Sequence, residues 1–308
     1  MERNEVDAQA MGGTELMAAG LERHVNPQLL QQFQIIRSRV RELEPARKHI
    51  LWLHDLPGDP ESEHLRDPAS RSRFDKIVMV SNWQMQQYND RLGVPYSECV
   101  VLKNAVDPIV KIDKASDKIR LIYHPTPHRG LQILVPVFER LCDFHGDLEL
   151  DVFSSFELYG WAERDEQFES LIRRCKEHPK INYHGTQPNE VVREALGKAH
   201  IFAYPSIWRE TSCICAMEAM SAATLIVAPN YAALPETTAG FAMMYQWDED
   251  IQRHALVFLN QLNNAIVAWK EQRASLGQYL DAQKRYADDM HSWQRRAAEW
   301  TTFLSNIG

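Results

Sequence analysis

The sequence has little of what marks a secreted or membrane-spanning protein. Its 308 residues include only five cysteines, at positions 99, 142, 175, 213 and 215, an odd number without Cys-x-x-Cys spacing. No apolar run approaches the roughly 20 residues that span a bilayer. The first residues, MERNEVD, are too charged for a secretory signal. These features favour a reduced, cytoplasmic setting.

The chain also lacks an excess of positive charge. Its 34 lysines and arginines face 42 aspartates and glutamates, and the net charge of −8 argues against a nucleic-acid partner. Arg37, Arg39 and Arg41 lie in a segment predicted as a helix, where they would spread around the cylinder. The nearby Glu42 and Glu44 dilute their charge. Weak peripheral contact with an anionic membrane face stays an alternative.

What is present is typical of a globular α/β protein. Hydrophobic residues make up 44% of the chain and charged residues 25%, and 308 residues allow two domains. Segments with strand and helix patterns alternate, which predicts parallel sheets with helices on both faces. The extended stretch 104–108 is predicted to be a hinge between residues 1–108 and 109–286.

The predicted elements follow from periodicity, capping and Pro or Gly breaks. Helices are expected at 15–22, 27–44, 82–91, 130–144, 189–198, 212–223, 255–269 and 292–304. Strands are expected at 49–53, 76–81, 98–102, 119–123, 148–153, 180–184, 200–204 and 225–228. In the last helix, Trp293, Ala297 and Trp300 form a stripe that is more typical of packing than of a binding platform.

Two carboxylates, Glu210 and Glu218, are the most informative residues. Glu210 follows the predicted strand 200–204, and Glu218 lies on the predicted helix 212–223, roughly two turns in. The N-terminus of such a helix favours a phosphate, because its unpaired N–H groups and dipole attract an anion. A diphosphate held there would leave one carboxylate near a sugar and the other near a ribose.

This pair, with Tyr-Pro-Ser at 204–206 and Glu-Ala-Met at 218–220, resembles the donor-site motif of glycosyltransferase family 4. Four more segments follow that family's order, namely GGTE at 12–15, YHPTPHRGL at 123–131, NYHG at 182–185 and AALPET at 232–237. The resemblance implies the GT-B architecture, in which two Rossmann-like doubly wound domains face a cleft. It also implies that the final helix crosses back to the first domain, so that residues 287–308 are assigned to that domain.

The family resemblance implies a retaining transfer from a nucleotide-diphosphate sugar, without a metal or cofactor. Arg129 would clamp the diphosphate, Glu210 would orient the transferred sugar, and His54 would face that sugar. Glu218 would bind the ribose hydroxyls. The other implied donor-binding residues are Gly12, Gly13, Thr126, His128, Gly185, Ser212, Cys213 and Ile214. No covalent nucleophile is implied, because the acceptor would attack the face that the diphosphate leaves.

The expected partners follow from the same resemblance. The donor would be a UDP- or GDP-linked sugar, and the acceptor a glycan or a lipid-linked hydroxyl in polysaccharide biosynthesis. No nucleic acid is expected, whereas a homodimer stays open.

Several positions depart from the family pattern. His124 stands where a second cationic residue, an arginine, is common, and a neutral imidazole supplies no fixed charge near pH 7. The first domain is short, and its usual apolar first strand is missing or reduced to the polar residues 5–9. Ala223 and Leu225 replace a glycine and a proline. A nucleotide-sugar-binding protein without transferase activity, or a nucleotide-sugar hydrolase or epimerase, therefore remains an alternative.

Two further patterns are interpreted as structural. Cys213 and Cys215 flank Ile214 and are expected to be small buried residues rather than metal or redox ligands. Asp248 and Asp250 have the Asp-x-Asp form of a metal-dependent transferase. They lie in a polar stretch beyond the donor motif, where a solvated charge cluster is expected.

Overall fold

The computed structural model describes residues 12–307, which divide into two units. The smaller unit contains residues 13–107, 210–214 and 289–307. The larger unit contains Gly12 and residues 108–209 and 215–288. The segment 210–214, predicted within the second domain, groups with the smaller unit. It is tied there because Ser81 Oγ donates to the carbonyl of Thr211 at 2.6 Å.

Helices and parallel strands alternate along the described chain. The helices are Gly13–His24 (α1), Pro27–Leu30 (α2), Pro68–Arg71 (α3), Asn82–Leu92 (α4), Leu131–Cys142 (α5), Glu169–Glu177 (α6), Asn189–Lys198 (α7), Ile214–Ser221 (α8), Leu234–Thr238 (α9), Ile251–Glu271 (α10), Arg273–Met290 (α11) and Trp293–Ile307 (α12). The strands are Phe33–Arg37 (β1), Lys48–Leu53 (β2), Lys76–Met79 (β3), Cys99–Val101 (β4), Ile119–Tyr123 (β5), Leu148–Val152 (β6), Ile181–Tyr183 (β7), Ile201–Ala203 (β8), Leu225–Pro229 (β9) and Met243–Tyr245 (β10). None of the helices within residues 12–307 combines the length and apolar character needed to cross a membrane.

The smaller unit is built on a four-stranded parallel sheet in the order β1-β2-β3-β4. Alternate residues of β2 face opposite sides, as the pleat requires. Ile50 and Trp52 enter one core with α1 and α12, and Leu51 and Leu53 enter the other. Trp300 of α12 meets Trp52 edge to face, with ring centres 5.0 Å apart. The final helix therefore returns to the first sheet, and its tryptophan stripe is packing surface.

The predicted helix at 27–44 is wrong. Helix α2 ends at Leu30, and the chain then forms β1, which pairs in parallel with β2. Phe33 and Ile36 become buried only because the sheet edge receives them, a tertiary effect that local helix propensity does not contain. Arg37 therefore ends a strand and Arg39 lies in the loop beyond it, rather than on a helix.

The larger unit has a six-stranded sheet in the order β10-β9-β8-β5-β6-β7. All of its pairs are parallel. The chain builds outward from β5 to β7 and then returns to the other side of β5 with β8. The junction of β5 and β8 is therefore the point where the strand order reverses, and ligands of doubly wound folds bind beyond the carboxyl ends of strands at such a point. The prediction of an α/β fold with two parallel sheets is confirmed, and among the described strands only the larger sheet reverses its order.

Several elements of the larger unit were not predicted. Helix α11 is largely polar and buries only Leu280, Gln283 and Ala287, so it lacks a clear apolar stripe. Strand β10 has three residues and exists because it pairs with β9. Both elements form through tertiary partners rather than through a strong local pattern.

Gly20 of α1 tests the packing of α12 on the smaller unit. A Cβ at this position would lie 2.0 Å from Cζ2 of Trp293. We expect Gly20→Ala to lower the midpoint of urea unfolding, because overpacking costs roughly 1–3 kcal/mol. That cost exceeds the gain in helix propensity of about 1 kcal/mol.

Gly277→Ala in α11 is the matched control, since a Cβ there would meet no atom of the described residues within 4 Å. This variant should keep or raise the midpoint. A Gly20→Ala midpoint as high as that of the control would show that α1 and α12 are not in close contact.

Candidate functional site

The loops that follow β5 and β8 meet through their backbones at the reversal point. Gly130 has φ +133°, and a Cβ on it would lie 2.2 Å from the carbonyl oxygen of Pro205. The amide of Ile207 donates to the carbonyl of Arg129 at 3.3 Å. Only glycine combines this backbone conformation with such an approach. Gly130 thus holds the loop after β5, which carries the predicted residues Thr126, His128 and Arg129, against the loop after β8.

The loop after β5 is held rigidly. Tyr123 donates its hydroxyl to the carbonyl of Thr126 at 3.0 Å, and Ser154 donates to that of Pro125 at 2.7 Å. Thr126 is 3% exposed, and its hydroxyl has no hydrogen-bond partner among the described residues. Buried hydroxyls are normally paired, so this one is suited to a ligand. Thr126, predicted from sequence, therefore lies in a preformed loop.

Arg129 and His128 lie on a 3₁₀ turn at the end of this loop. The guanidinium of Arg129 lies 5.7 Å from the ring centre of Trp208, and His128 meets that ring edge-on at 4.7 Å. Burial, together with the positive charges of Arg129 and Arg164, lowers the pKa of His128 to about 4. His128 is therefore neutral near pH 7, and Arg129 supplies the fixed positive charge of the turn.

Glu218 lies on α8 and is 5% exposed. It accepts hydrogen bonds from Asn189 at 3.1 Å and from Arg193 at 3.5 Å, both on α7. Burial raises the pKa of Glu218, an effect that His124, Asn189 and Arg193 oppose. Because α8 begins at Ile214 rather than at the predicted Ser212, Glu218 lies just over one turn into the helix, not two.

His124 lies at the end of β5 beside Glu218. It hydrogen-bonds to the side chain and backbone of Cys215, and its ring tilts against Phe202 at 4.8 Å. Burial alone would lower the pKa of His124, but Cys215 and Glu218 outweigh it and the pKa is raised. The imidazole is therefore charged over a wider pH range than an ordinary histidine, which lessens the departure noted from the sequence. Cys215 is partly exposed rather than buried.

Gly185 follows β7, at the same carboxyl edge of the larger sheet. It has φ +63°, a left-handed conformation that favours glycine. The neighbouring His184 stacks on Phe153 with ring centres 4.3 Å apart and donates to Asp151 at 2.8 Å. This turn is well ordered by its neighbours, and the role of Gly185 in lining a base stays a prediction.

The remaining predicted residues belong to the smaller unit, apart from Gly12. Thr211 donates its hydroxyl to the carbonyl of His54 at 2.8 Å, which places the Glu210 segment at the carboxyl end of β2. Gly13 begins α1, and a Cβ on it would lie 3.1 Å from Ile214 Cδ1. Three more predicted residues of this segment are buried, namely Glu210, Ser212 and Cys213. Residues distant in sequence are thus brought together here.

His54 is neutral at ordinary pH. Burial lowers the pKa of His54 to about 3, with a further contribution from Arg37. Its ring lies 4.6 Å from that of Trp52.

Gly12 is buried in the structure. The reduced first strand expected at residues 5–9 lies outside the described residues.

The Asp-x-Asp pattern caps a helix. Asp250 accepts from the amides of Gln252 and Arg253 at 2.9 and 3.0 Å, at the start of α10. Asp248 accepts from the side chain of Arg253 at 2.8 Å. Within residues 12–307, no group of three or more His, Cys, Asp or Glu side chains is arranged to hold a metal ion.

Sequence reasoning missed the partners of Glu218. Asn189 and Arg193 stand four residues apart, at the start of a helix that was predicted correctly. Residues at this spacing share a helix face. Together with the NYHG segment just before them, that spacing was the available signal. The spacing could not show that this face of α7 contacts Glu218 on α8.

The chain is similar to known glycosyltransferases in sequence and in fold. Residues 120–260 match the family model described as Glycosyl transferases group 1. The phosphatidylinositol N-acetylglucosaminyltransferase GPI3 subunit of Saccharomyces cerevisiae S288c is 21% identical over 248 residues. That alignment covers 77% of this chain and 52% of the yeast protein. The chain thus spans about half the length of the curated relatives it matches.

Solved structures of similar fold cover more of the chain. A glycosyltransferase from Rickettsia africae ESF-5 superposes with a TM-score of 0.71 at 15% identity, covering 100% of this chain and 84% of that one. Anabaena HepE in complex with UDP-glucose superposes with a TM-score of 0.63 at 15% identity, covering 84% of this chain and 72% of that one.

Gly130→Ala tests the junction between the two loops. We expect a lower unfolding midpoint, because the methyl group would strike the carbonyl of Pro205 and strain the backbone. Gly146→Ala is the control, since a Cβ there would meet no described atom within 4 Å. Urea titration measures the effect. Unchanged stability in Gly130→Ala would contradict the close approach.

Proposed function

We propose that this chain, whose residues 120–260 match the Glycosyl transferases group 1 model and whose fold resembles that of solved glycosyltransferases, transfers a sugar from a nucleotide-diphosphate sugar to a hydroxyl acceptor. One observation carries the proposal. The reversal point of the larger sheet places a fixed cation, Arg129, on a loop joined by Gly130 to the β8 loop. A buried carboxylate, Glu218, lies on the helix that follows that second loop.

Glu218 is suited to bind ribose hydroxyls. An ionised carboxylate offers about four acceptor sites. Asn189 and Arg193 occupy part of that capacity and orient the group. A ribose diol would use the remaining acceptor sites and replace the solvation that burial removes. The bound nucleotide would therefore hold Glu218 in its ionised form.

Arg129 is suited to stabilise the departing diphosphate. Its guanidinium can bind two phosphate oxygens at once and keeps its charge at every ordinary pH. Negative charge grows on the diphosphate as its bond to the sugar breaks, and a fixed cation stabilises that charge without reorganisation. We propose that this clamp, together with the N–H groups at the start of α8, makes the transfer independent of a metal.

We propose that the transfer retains the configuration at the sugar carbon. The bond from that carbon to the diphosphate oxygen breaks, and a bond to the acceptor oxygen forms on the same face. The acceptor's hydroxyl proton passes to the departing diphosphate, so charge and atoms balance. The neutral imidazole of His54 and the carboxylate of Glu210 would orient the sugar.

The relatives support a UDP-linked donor. HepE was solved with UDP-glucose, and a pneumococcal O-GlcNAc transferase of similar fold was solved with UDP and GlcNAc. The yeast relative's name specifies a phosphatidylinositol acceptor and a subunit of a larger assembly. We therefore propose a glycan or lipid-linked acceptor, with the protein in the cytoplasm at the inner membrane face and able to act with a partner chain.

Nucleotide binding gives the first test. We expect calorimetry without metal to show micromolar binding of UDP, and weaker binding of GDP and ADP. Glu218→Gln should weaken the binding of UDP roughly tenfold or more, because it removes the charge from the ribose acceptor. Glu194→Gln on exposed α7 surface should leave it unchanged. Absence of binding by all three nucleotides would contradict a donor site.

Product analysis gives the second test. With UDP-glucose or UDP-GlcNAc and a panel of glycan and lipid acceptors, we expect a product whose anomeric configuration, read by NMR, equals that of the donor. The rate should not change with EDTA. An inverted product would refute retention. Free sugar or an epimer formed without acceptor would favour the hydrolase or epimerase alternative, and binding without turnover would favour the binding protein.

A further inference from the structure

A second segment of the larger unit is fastened to the Arg129 loop. Asp165 accepts hydrogen bonds from the hydroxyl of Ser155 and from the amide of Phe156, the latter at 2.9 Å. The ring of Phe156 stacks on His128 with centres 5.0 Å apart and an interplanar angle of 21°. Residues 155–165 are therefore held in a defined position against the loop that carries the diphosphate clamp.

This segment brings a second arginine to the site. The amide of Arg164 donates to the carbonyl of Trp161 at 2.9 Å, and its guanidinium lies 4.0 Å from the centre of the Trp161 ring. Arg164 is exposed, yet its charge acts on His128 together with that of Arg129 and lowers the pKa of that imidazole. The hydrogen bond from Phe156 to Asp165 and the stacking of Phe156 on His128 thus fasten the segment that carries Arg164 beside the turn that carries Arg129.

The two arginines are supported in the same way. Arg164 lies against Trp161, and Arg129 lies 5.7 Å from the ring centre of Trp208, which also contacts His128. An aromatic face attracts a cation and restricts its rotamers, which reduces the entropy lost when an anion binds. Like charges that share a site repel one another, and an anion between them removes that repulsion.

His124 interacts with other residues of the site. It hydrogen-bonds to Cys215 and lowers the pKa of Glu218, the residue proposed to bind the ribose. A diphosphate carries more negative charge than Arg129 alone can balance. We infer that Arg164 is a second phosphate-binding residue of the donor site, which binds the diphosphate together with Arg129 beside the ring of His128. This inference rests on the proposed function.

The test compares Arg164→Gln with Arg173→Gln, which removes the same charge from an exposed position on α6. Calorimetry measures the affinities for UDP, UMP and inorganic pyrophosphate, and their comparison shows whether Arg164 binds the second phosphate. Arg164→Gln should weaken the binding of UDP and pyrophosphate roughly tenfold, since hydrogen bonds to charged groups are stronger than neutral ones. It should change the binding of UMP less. Arg164→Lys should restore part of the affinity, and Arg173→Gln should match the wild type.

NMR titration of His128 checks the geometry without a nucleotide. Removing the positive charge of Arg164 should raise the pKa of His128 from its value of about 4, because the protonated ring then faces less repulsion. Arg173→Gln should not move the pKa of His128. An unchanged pKa in Arg164→Gln would show that Arg164 does not lie close to His128, and would overturn the inference.

Failure of the inference differs from failure of the proposed function. If the wild type binds UDP and Arg164→Gln binds it equally well, Arg164 is not a phosphate ligand and the proposed function stands. Equal weakening of UDP and UMP would likewise overturn a role for Arg164 at the second phosphate. If the wild type binds neither nucleotides nor pyrophosphate, the donor site and Arg164 fail together.

Discussion

The close approach of Gly130 to the backbone of Pro205 is the constraint on which the candidate site depends. It closes the reversal point of the larger sheet by joining the loop after β5 to the loop after β8. Arg129 immediately precedes this contact, and the segment after Pro205 leads along the chain to the helix that carries Glu218. A side chain at 130 would separate the loops, so this glycine decides how the residues on the two loops are placed.

Charge in the larger unit is arranged in two groups. Glu218 is buried, and His124, Asn189 and Arg193 oppose the rise in its pKa that burial causes. Arg129, on the adjoining loop, lies beside a histidine that burial and two arginines keep neutral. The site thus separates a carboxylate suited to hydroxyl donors from a cationic surface suited to phosphate, as a nucleotide diphosphate requires.

Local patterns predicted most of the fold because apolar periodicity, caps and breaks recur at each strand and helix. The helix predicted at 27–44 failed because β1 is held by pairing with β2, and burial of Phe33 depends on that pairing. The same limit applies to the site. Nothing local to His54 or Thr211 indicates that a hydroxyl and a carbonyl 157 residues apart would form a hydrogen bond. Such contacts depend on which distant segments the folded chain brings together.

The sequence by itself determined the α/β class, the order of the motif segments and the residue types of the site. Those follow from periodicity and spacing, which act over a few residues. Tertiary structure alone decided that Asn189 and Arg193 hold Glu218, that the pKa of His124 is raised, and that the segment carrying Arg164 is fastened beside His128. The physical reason is that burial, pairing and electrostatic interaction depend on distance in space, which the order of residues along the chain does not specify.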